Sequence, residues 1–514
     1  MDSTATTTPE STPGPLPEWA AAKLAALQEQ VARFDAELKR RDLKIQRLVL
    51  ELALHKRMRF GAKSEAMTAV QRSMFDEACD EDGAAITAEL EVAEAKPKTV
   101  YKRPGRNPLP KDLERIEHRH EPESCTCGQC GSHLVKIGED ISEQLDCDPT
   151  RFFVHRHIRS QYACRSCVTV TAAEVPPSII EGGLAAPGLI AWILVQKYLD
   201  HLPLYRIEQI SDRSGVPLPR STMAQWVGQA GVQLEPLVDR LIELLKQRDV
   251  LHADETPVQQ LDPGKGKTKR AYLWAYRSND LATGPPIVVF DYQLSRAGEH
   301  ARNFLQDWKG SLMVDDHKGY DALFRKGITE LGCMAHARRK FIDLSKTHKH
   351  PEADEAIWKF AELYKIEAEV RTLDIAGRLA VRKERAAPKV EALHEWLIDL
   401  RSKTATGGAL AKAIDYSLKR WPALSRYVTR GDLPIDNNPC ENSIRPVALG
   451  RKNWLFTGSE RAGRRAAMIQ TLLGTAKLNG IEPYAWLKDT LEKLPGWPNS
   501  RIDELLPFIV RPLP

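Results

Sequence analysis

The sequence predicts a multidomain α/β protein, with an α/β core interrupted by an all-helical insertion and preceded by smaller modules. Three observations predict it. From Asp249 the chain alternates short apolar, strand-like runs with turn segments. Residues 346–430 are rich in Ala, Glu, Lys, Leu and Arg with helical periodicity. Upstream of both lie a heptad-patterned stretch and two Cys-x-x-Cys pairs.

Composition narrows the function classes. A chain of 514 residues has room for several domains. Lysine and arginine number 74 against 69 acids, a net charge of +5, so any nucleic-acid contact must come from local basic patches. Nine cysteines at this length are no disulfide scaffold, and paired Cys-x-x-Cys spacing points to metal in a reducing compartment. The start MDSTATTTPESTPGP lacks the basic head and apolar stretch of a signal peptide. The longest apolar run, around Leu184–Val195, contains Pro187 and is too short to span a bilayer. These features lead us to expect a cytoplasmic protein with no membrane partner.

Residues 1–16 are rich in Ser, Thr and Pro and read as a disordered tail. Within residues 17–60, Leu24, Leu27, Val31, Phe34, Leu38, Ile45, Leu48 and Leu52 follow alternating three- and four-residue steps, with Arg41 at the one polar seam position. That pattern predicts a leucine zipper-like coiled coil and a homodimer or larger assembly. Residues 61–115 read as a linker. No Lys or Arg occurs from Asp76 to Glu94, which predicts a solvated acidic stretch, and VYKRPGRNPLPK then turns basic. Arg103 and Arg106 there resemble a minor-groove hook; a plain charged linker is the alternative.

In residues 116–180, Cys127, Cys130, Cys164 and Cys167 form two knuckles around a strand-like segment. Four thiolates at this spacing predict a zinc ribbon at the base of a long hairpin, with Cys125 competing as first ligand. A site with four protein ligands has no open position, so this Zn²⁺ is expected to be structural. Cys147, His155 and His157 read as packing or surface residues. Residues 181–246 read as helical: one helix over Leu204–Arg213, a turn at Ser214-Gly215, and a second helix capped by Ser221 that runs to about Ala230. This is a helix-turn-helix pattern with Arg220, Thr222 and Gln225 near the start of the recognition helix; a plain packing pair is the alternative.

The α/β core is expected over 247–345 and again over 431–475, the helical insertion lying between. The first strand, VLHADETP, ends at Asp254; DPGKGKTK is a basic hairpin loop; RAYLWAYRS and PIVVFDYQL are the second and third strands. A helix around Glu299–Trp308 leads to a fourth strand ending at Asp315, and a further strand precedes GCMAHARRKF. This order fits a ribonuclease H-like fold, whose first and fourth strands lie side by side, which makes Asp254 and Asp315 neighbours. Acids at the ends of two strands and on a later helix are the makeup of a two-metal phosphoryl-transfer site. Glu255 and Asp316 are rival ligands, and only one of each adjacent pair can face the site.

The later helix starts in DNNPCENSIRPVALGRKNWLFTG. Asn438 suits an N-cap, Pro439 the first helical position, and Glu441 falls three after the cap, so Glu441 reads either as a capping-box carboxylate or as a metal ligand. Arg445 and Lys452 share its face, and Arg451 joins them as a phosphate contact. Cys333 and His336 form a Cys-x-x-His pair that would need two more ligands to hold zinc; His336 reads as a site-supporting or a satisfied structural histidine. Arg338, Arg339 and Lys340 follow as phosphate contacts or a solvated helix face. Residues 476–514 close the chain as a Trp- and Pro-bearing element.

The stretches HADETPVQQLDPGKGKTKRAYLW, LMVDDHKGYDAL, GCMAHARRKF and DNNPCENSIRPVALGRKNWLFTGS carry a resemblance. The chain resembles a DDE transposase of the bacterial insertion sequence 66 family over nearly its whole length. The resemblance implies Asp254, Asp315 and Glu441 as catalytic triad, with Mg²⁺ or Mn²⁺ as cofactor. It implies terminal inverted repeats and target DNA as partners, a nucleoid-associated location, and two small accessory proteins from the same element. A ribonuclease H-like nuclease or resolvase, and a catalytically silent DNA-binding regulator, are the rival readings.

Overall fold

The computed structural model of the protein describes residues 18–64, 69–94, 113–121, 132–148, 151–164, 169–173, 177–262, 267–347 and 350–508, with a few single positions between them. Within the first two helices, side chains are described for 23–52 and 77–91. The expected tail, Arg103, Arg106, Cys125, Cys127 and the tip of the DPGKGKTK loop lie outside the described residues.

Helix α1, Glu18–Ser64, carries the heptad seam. Every seam residue named above is exposed, from 47% at Leu24 to 63% at Leu48, as befits a stripe with no partner in a single chain. Leu43 and Leu50 lie off that seam and pack on Ile86 and Leu90 of α2, Ala69–Glu94. The expected acidic linker is therefore corrected: it is a helix docked into the protein. Glu81 and Asp82 are buried against Arg465, Lys197 reaches Glu81 at 3.0 Å, and Glu89 pairs with Arg461. Burial raises the Glu81 carboxyl, but Lys197 and then Arg465 outweigh it and hold it below its ordinary range. A high acid count signals solvation only when no complementary cations wait elsewhere in the fold.

Strands β1, Arg115–His120, β2, Leu134–Asp148, β3, Arg151–Cys164, and β4, Val170–Ala172, form a sheet of order β1-β3-β2, with β4 also on β3. The β2–β3 hairpin pairs Asp148 with Arg151 at its tip and Leu134 with Cys164 at its base. Helices α3, Pro187–Tyr198, α4, Leu204–Arg213, and α5, Arg220–Lys246, follow. The apolar run in α3 is buried from Gly188 to Leu194, and no helix among the described residues is long and apolar enough to cross a membrane. Ser221 does not cap α5: the helix begins at Arg220 after Pro219. It also runs past Ala230, because Leu234, Leu237, Val238, Leu241 and Leu245 continue the buried stripe.

The second sheet comprises β5, Val250–Asp262, β6, Lys267–Ser278, β7, Val288–Gln293, β8, Ser311–Val314, and β9, Thr329–Gly332. Its order is β7-β6-β5-β8-β9; the first three strands are antiparallel, and β8 and β9 run parallel to β5. The first strand does not end at Asp254 but continues eight residues as the outer part of a hairpin with β6. Helix α6, Gly298–Leu305, precedes β8; α7, Asp321–Arg325, precedes β9; and α8, Met334–Thr347, follows it. The helical insertion is α9, Pro351–Glu369, α10, Ile375–Val381, α11, Ala387–Lys403, α12, Ala409–Lys419, and α13, Trp421–Leu424. Then come α14, Asn438–Trp454, α15, Glu460–Leu478, and α16, Pro483–Lys493.

Strand alternation decides which helices cover which face. Ala271, Leu273 and Ala275 of β6 pack in a cluster with Cys440, Ile444 and Val447 of α14 and Ala467 of α15. Trp274 and Tyr276 point the other way, into the core shared with α5 and α6. Helix α14 is thereby laid across the sheet with its first turn at β5.

Candidate active site

The parallel register pairs His252 with Met313, two residues before Asp254 and Asp315, and the Asp315 charge reaches the Asp254 carboxyl. Neither carboxylate forms an ion pair with a described Lys or Arg; Asp254 accepts the Glu255 N–H at 2.8 Å and Asp315 that of His317 at 3.0 Å. Burial, then the charges of Glu255 and Asp315 and, more weakly, Glu441, push the Asp254 carboxyl up to about 8. The acids thus repel one another at close range in a poorly solvated place.

Their sequence neighbours are already paired with arginine. The Glu255 side chain is 1% exposed; Arg296 reaches it at 2.5 Å and the Tyr320 hydroxyl donates to it at 2.9 Å. Asp316 is held by Arg420 at 2.6 Å, and Arg420 also bonds Glu330 at 2.8 Å. Arg296, Tyr320 and Arg420 were not legible as site residues, since each meets its acid through the fold rather than through spacing.

The start of α14 also differs from expectation. The helix begins at Asn438, and Asn437 occupies the cap position. The Asn437 side chain is bonded to His252 Nδ1 at 3.0 Å and donates to the Ala253 carbonyl at 3.0 Å, while its backbone N–H points at Cys333 Sγ at 3.2 Å. The Asn438 N–H is satisfied by Asp436 at 3.1 Å. No capping box forms: Glu441 Oε1 faces His336 Nδ1 at 3.6 Å and Oε2 faces Arg339 Nη2 at 3.5 Å. One buried asparagine therefore fastens the Glu441 helix to the residue before Asp254, and it went unnoticed because an Asn beside a cap candidate carries no separate signal.

The expected DNA contacts divide. Arg445, Lys452 and Gln225 are exposed, and Arg339 is half-exposed beside Glu441. Arg338 lies over the Tyr364 ring at 5.9 Å. Arg451 donates to the Pro257 and Ala448 carbonyls, tying α14 to β5. Arg220 is bound to Glu208 at 2.9 Å, which fastens the start of α5 to α4, and Thr222 is half-buried.

At the base of the β2–β3 hairpin, Cys130 Sγ lies 3.3 Å from Cys164 Sγ and 3.5 Å from Cys167 Sγ. Three sulfurs gathered within 4.8 Å of one another fit a structural zinc, whose thiolates sit about 3.8 Å apart on a tetrahedron of about 2.3 Å bonds. Metal analysis of the full chain checks this. Cys164→Ser should lose the hairpin-bound zinc, and a metal-free, folded wild-type chain would exclude the site.

Four families match consecutive parts of this sequence. "Transposase IS66 family" matches residues 182–465, "IS66 C-terminal element" 471–508, "zinc-finger binding domain of transposase IS66" 124–168, and "Transposase C of IS166 homeodomain" 47–117, the last spanning α2. The chain is 38% identical over 511 residues to the uncharacterised protein y4qI of Sinorhizobium fredii, covering 96% of this chain and 94% of that one. Its identity to y4jD of the same organism is 36% over 486 residues, 90% and 95% of the two chains. With more than half its length inside the first family and its flanking modules in the others, the chain belongs to the IS66 family of transposases.

Proposed function

We propose that the protein is a metal-dependent DNA transposase that cleaves at the ends of its element and joins the freed 3′ hydroxyl to target DNA. The observation that carries this is the closeness of Asp254 to Asp315 and, more weakly felt, to Glu441, beside two acids already paired with arginine. The carboxylates of Asp254 and Asp315, with no Lys or Arg partner among the described residues, suit a hard cation, so Mg²⁺ or Mn²⁺ fits. A bound pair would lower the pKa of the attacking water or 3′ hydroxyl and stabilise the leaving oxygen in an in-line displacement. The chain's own residues hold the geometry: Asn437 sets Glu441 against β5, and Arg339 faces the Glu441 Oε2 at 3.5 Å. The exposed Arg445 and Lys452, one and three turns along α14, offer contacts to the phosphate backbone.

The strand order, with β8 parallel beside β5, supports a ribonuclease H-like core over 247–345 and 431–475. The α4–α5 pair supports binding of terminal inverted repeats, and the unpartnered seam of α1 supports a homodimer or larger assembly through that helix. A nuclease or resolvase on the same fold would cleave without joining, so a strand-transfer assay on element ends separates the readings.

The choice within the acid pair is tested by two variants. Asp315→Asn should abolish strand transfer, whereas Asp316→Asn should cost only its exposed contact to Arg420 and retain activity. Full strand transfer by Asp315→Asn would remove that residue from the site.

A further inference from the structure

Beside the carboxylate pair lies a different donor set. Cys333 Sγ, His336 Nδ1 and a Glu441 oxygen all lie within 4.8 Å of one another. His336 Nδ1 and Glu441 Oε1 are shielded from solvent, and neither has a hydrogen-bond partner. They face each other at 3.6 Å. That gap is too long for a hydrogen bond but is the separation of two donors on one tetrahedral ion, since bonds of about 2.0–2.3 Å place donors about 3.3–3.8 Å apart. Two unsatisfied atoms aimed at one point in a shielded place mark a missing third party.

The sulfur is prepared for the same point. Cys333 is 1% exposed, and the backbone N–H of Asn437 points at its Sγ at 3.2 Å. Cys-x-x-His places both ligands on one helical start, and Glu441 arrives from α14, which Asn437 holds in place.

We infer that Cys333, His336 and Glu441 form a second zinc site, separate from the hairpin cysteines, and that filling it withdraws Glu441 from Asp254 and Asp315. The sulfur and imidazole select a soft or borderline divalent ion and reject magnesium, which demands oxygen. Three protein ligands leave one position for water, so the ion can enter and leave without unfolding the chain. Magnesium and zinc then compete for one carboxylate, and zinc holds the enzyme inactive. This last consequence rests on the proposed magnesium site; the zinc site itself does not.

The test uses the full chain without DNA, loaded with Zn²⁺, desalted and analysed for metal. Wild type should retain one more zinc per chain than Cys333→Ser or His336→Asn, whereas Cys164→Ser should lose the hairpin zinc and keep the second. His336→Asn leaves the buried Cys333 packing untouched, and its thermal unfolding reports that the fold is intact. Equal zinc in wild type and both variants would overturn the site. In the second arm, magnesium-dependent cleavage is titrated with Zn²⁺, each protein scaled to its own uninhibited rate. The zinc concentration that halves cleavage should rise at least about tenfold in Cys333→Ser. A second zinc that leaves cleavage unchanged would overturn the withdrawal of Glu441. A wild type that never cleaves with magnesium would instead count against the transposase reading, and the zinc count would still decide the site.

Discussion

Glu441→Gln should leave binding to element ends intact and lower magnesium-dependent cleavage by at least about a hundredfold, the scale seen when one charge-stabilising group leaves a preorganised site. Two effects of this change need separating, because the residue sits in the first turn of α14 and a glutamine could serve a capping box equally well. The geometry removes the capping effect: the Glu441 oxygens face His336 and Arg339, and the first N–H of the helix is taken by Asp436. Helix stability should therefore be unchanged, and the thermal unfolding of the variant should superimpose on that of wild type. What the substitution does remove is one negative charge and one carboxylate oxygen from a place built of carboxylates. DNA affinity rests on exposed Arg and Lys and should persist in a gel shift, with the same salt dependence. Normal binding with normal cleavage would leave Asp254 and Asp315 without their third partner.

Arg465→Met should destabilise the protein by about 3–5 kcal/mol, because it strands two buried carboxylates. Arg465 is 5% exposed, and it bonds Glu81 at 2.8 Å and Asp82 at 3.0 Å, whose side chains are themselves 3% and 5% exposed. Lys197 still reaches Glu81, so the larger loss falls on Asp82, which burial already raises above its ordinary range. The contact it closes is tight: a Cβ at Gly228 of α5 would collide with the Glu81 carbonyl, so α2 has no room to shift and admit water. Arg464→Ala is the control. That arginine is 60% exposed and, among the described residues, pairs only with Glu460 one turn back, a contact of about 0.3–0.5 kcal/mol. Denaturant unfolding of the two variants, with proteolysis within α2 as a local probe, checks the contrast. Equal stability of Arg465→Met and wild type would mean that α2 is not docked through these charges.

Local signals carried much of the architecture. Heptad spacing along α1, paired Cys-x-x-Cys spacing, the alternation of the strands and the Ala- and Glu-rich insertion all depend on residues close in sequence, where chain geometry alone decides who meets whom. The same holds for the ends of α4, expected and observed at Leu204 and Arg213. The candidate site was expected as a set of acids on two strands and a helix. It was not legible which acid of each adjacent pair would be free, because Arg296, Tyr320 and Arg420 reach Glu255 and Asp316 across the fold.

What the sequence by itself determined, then, are the modules and the chemistry available to them: a zipper-like seam, a cysteine cluster, strands bearing carboxylates and a helix start bearing Glu441. Only the tertiary structure decided whether an acid is solvated, paired or left to repel its neighbours. The run from Asp76 to Glu94 has the composition of a linker, yet Arg465 and Lys197 turn part of it into a buried helix face. Glu441 has the spacing of a cap, yet Asp436 takes the amide and His336 stands across from the carboxylate. The physical reason is the same in both. The fate of a charge depends on the sign and distance of the groups around it and on the water they exclude, and those groups come from positions far away along the chain.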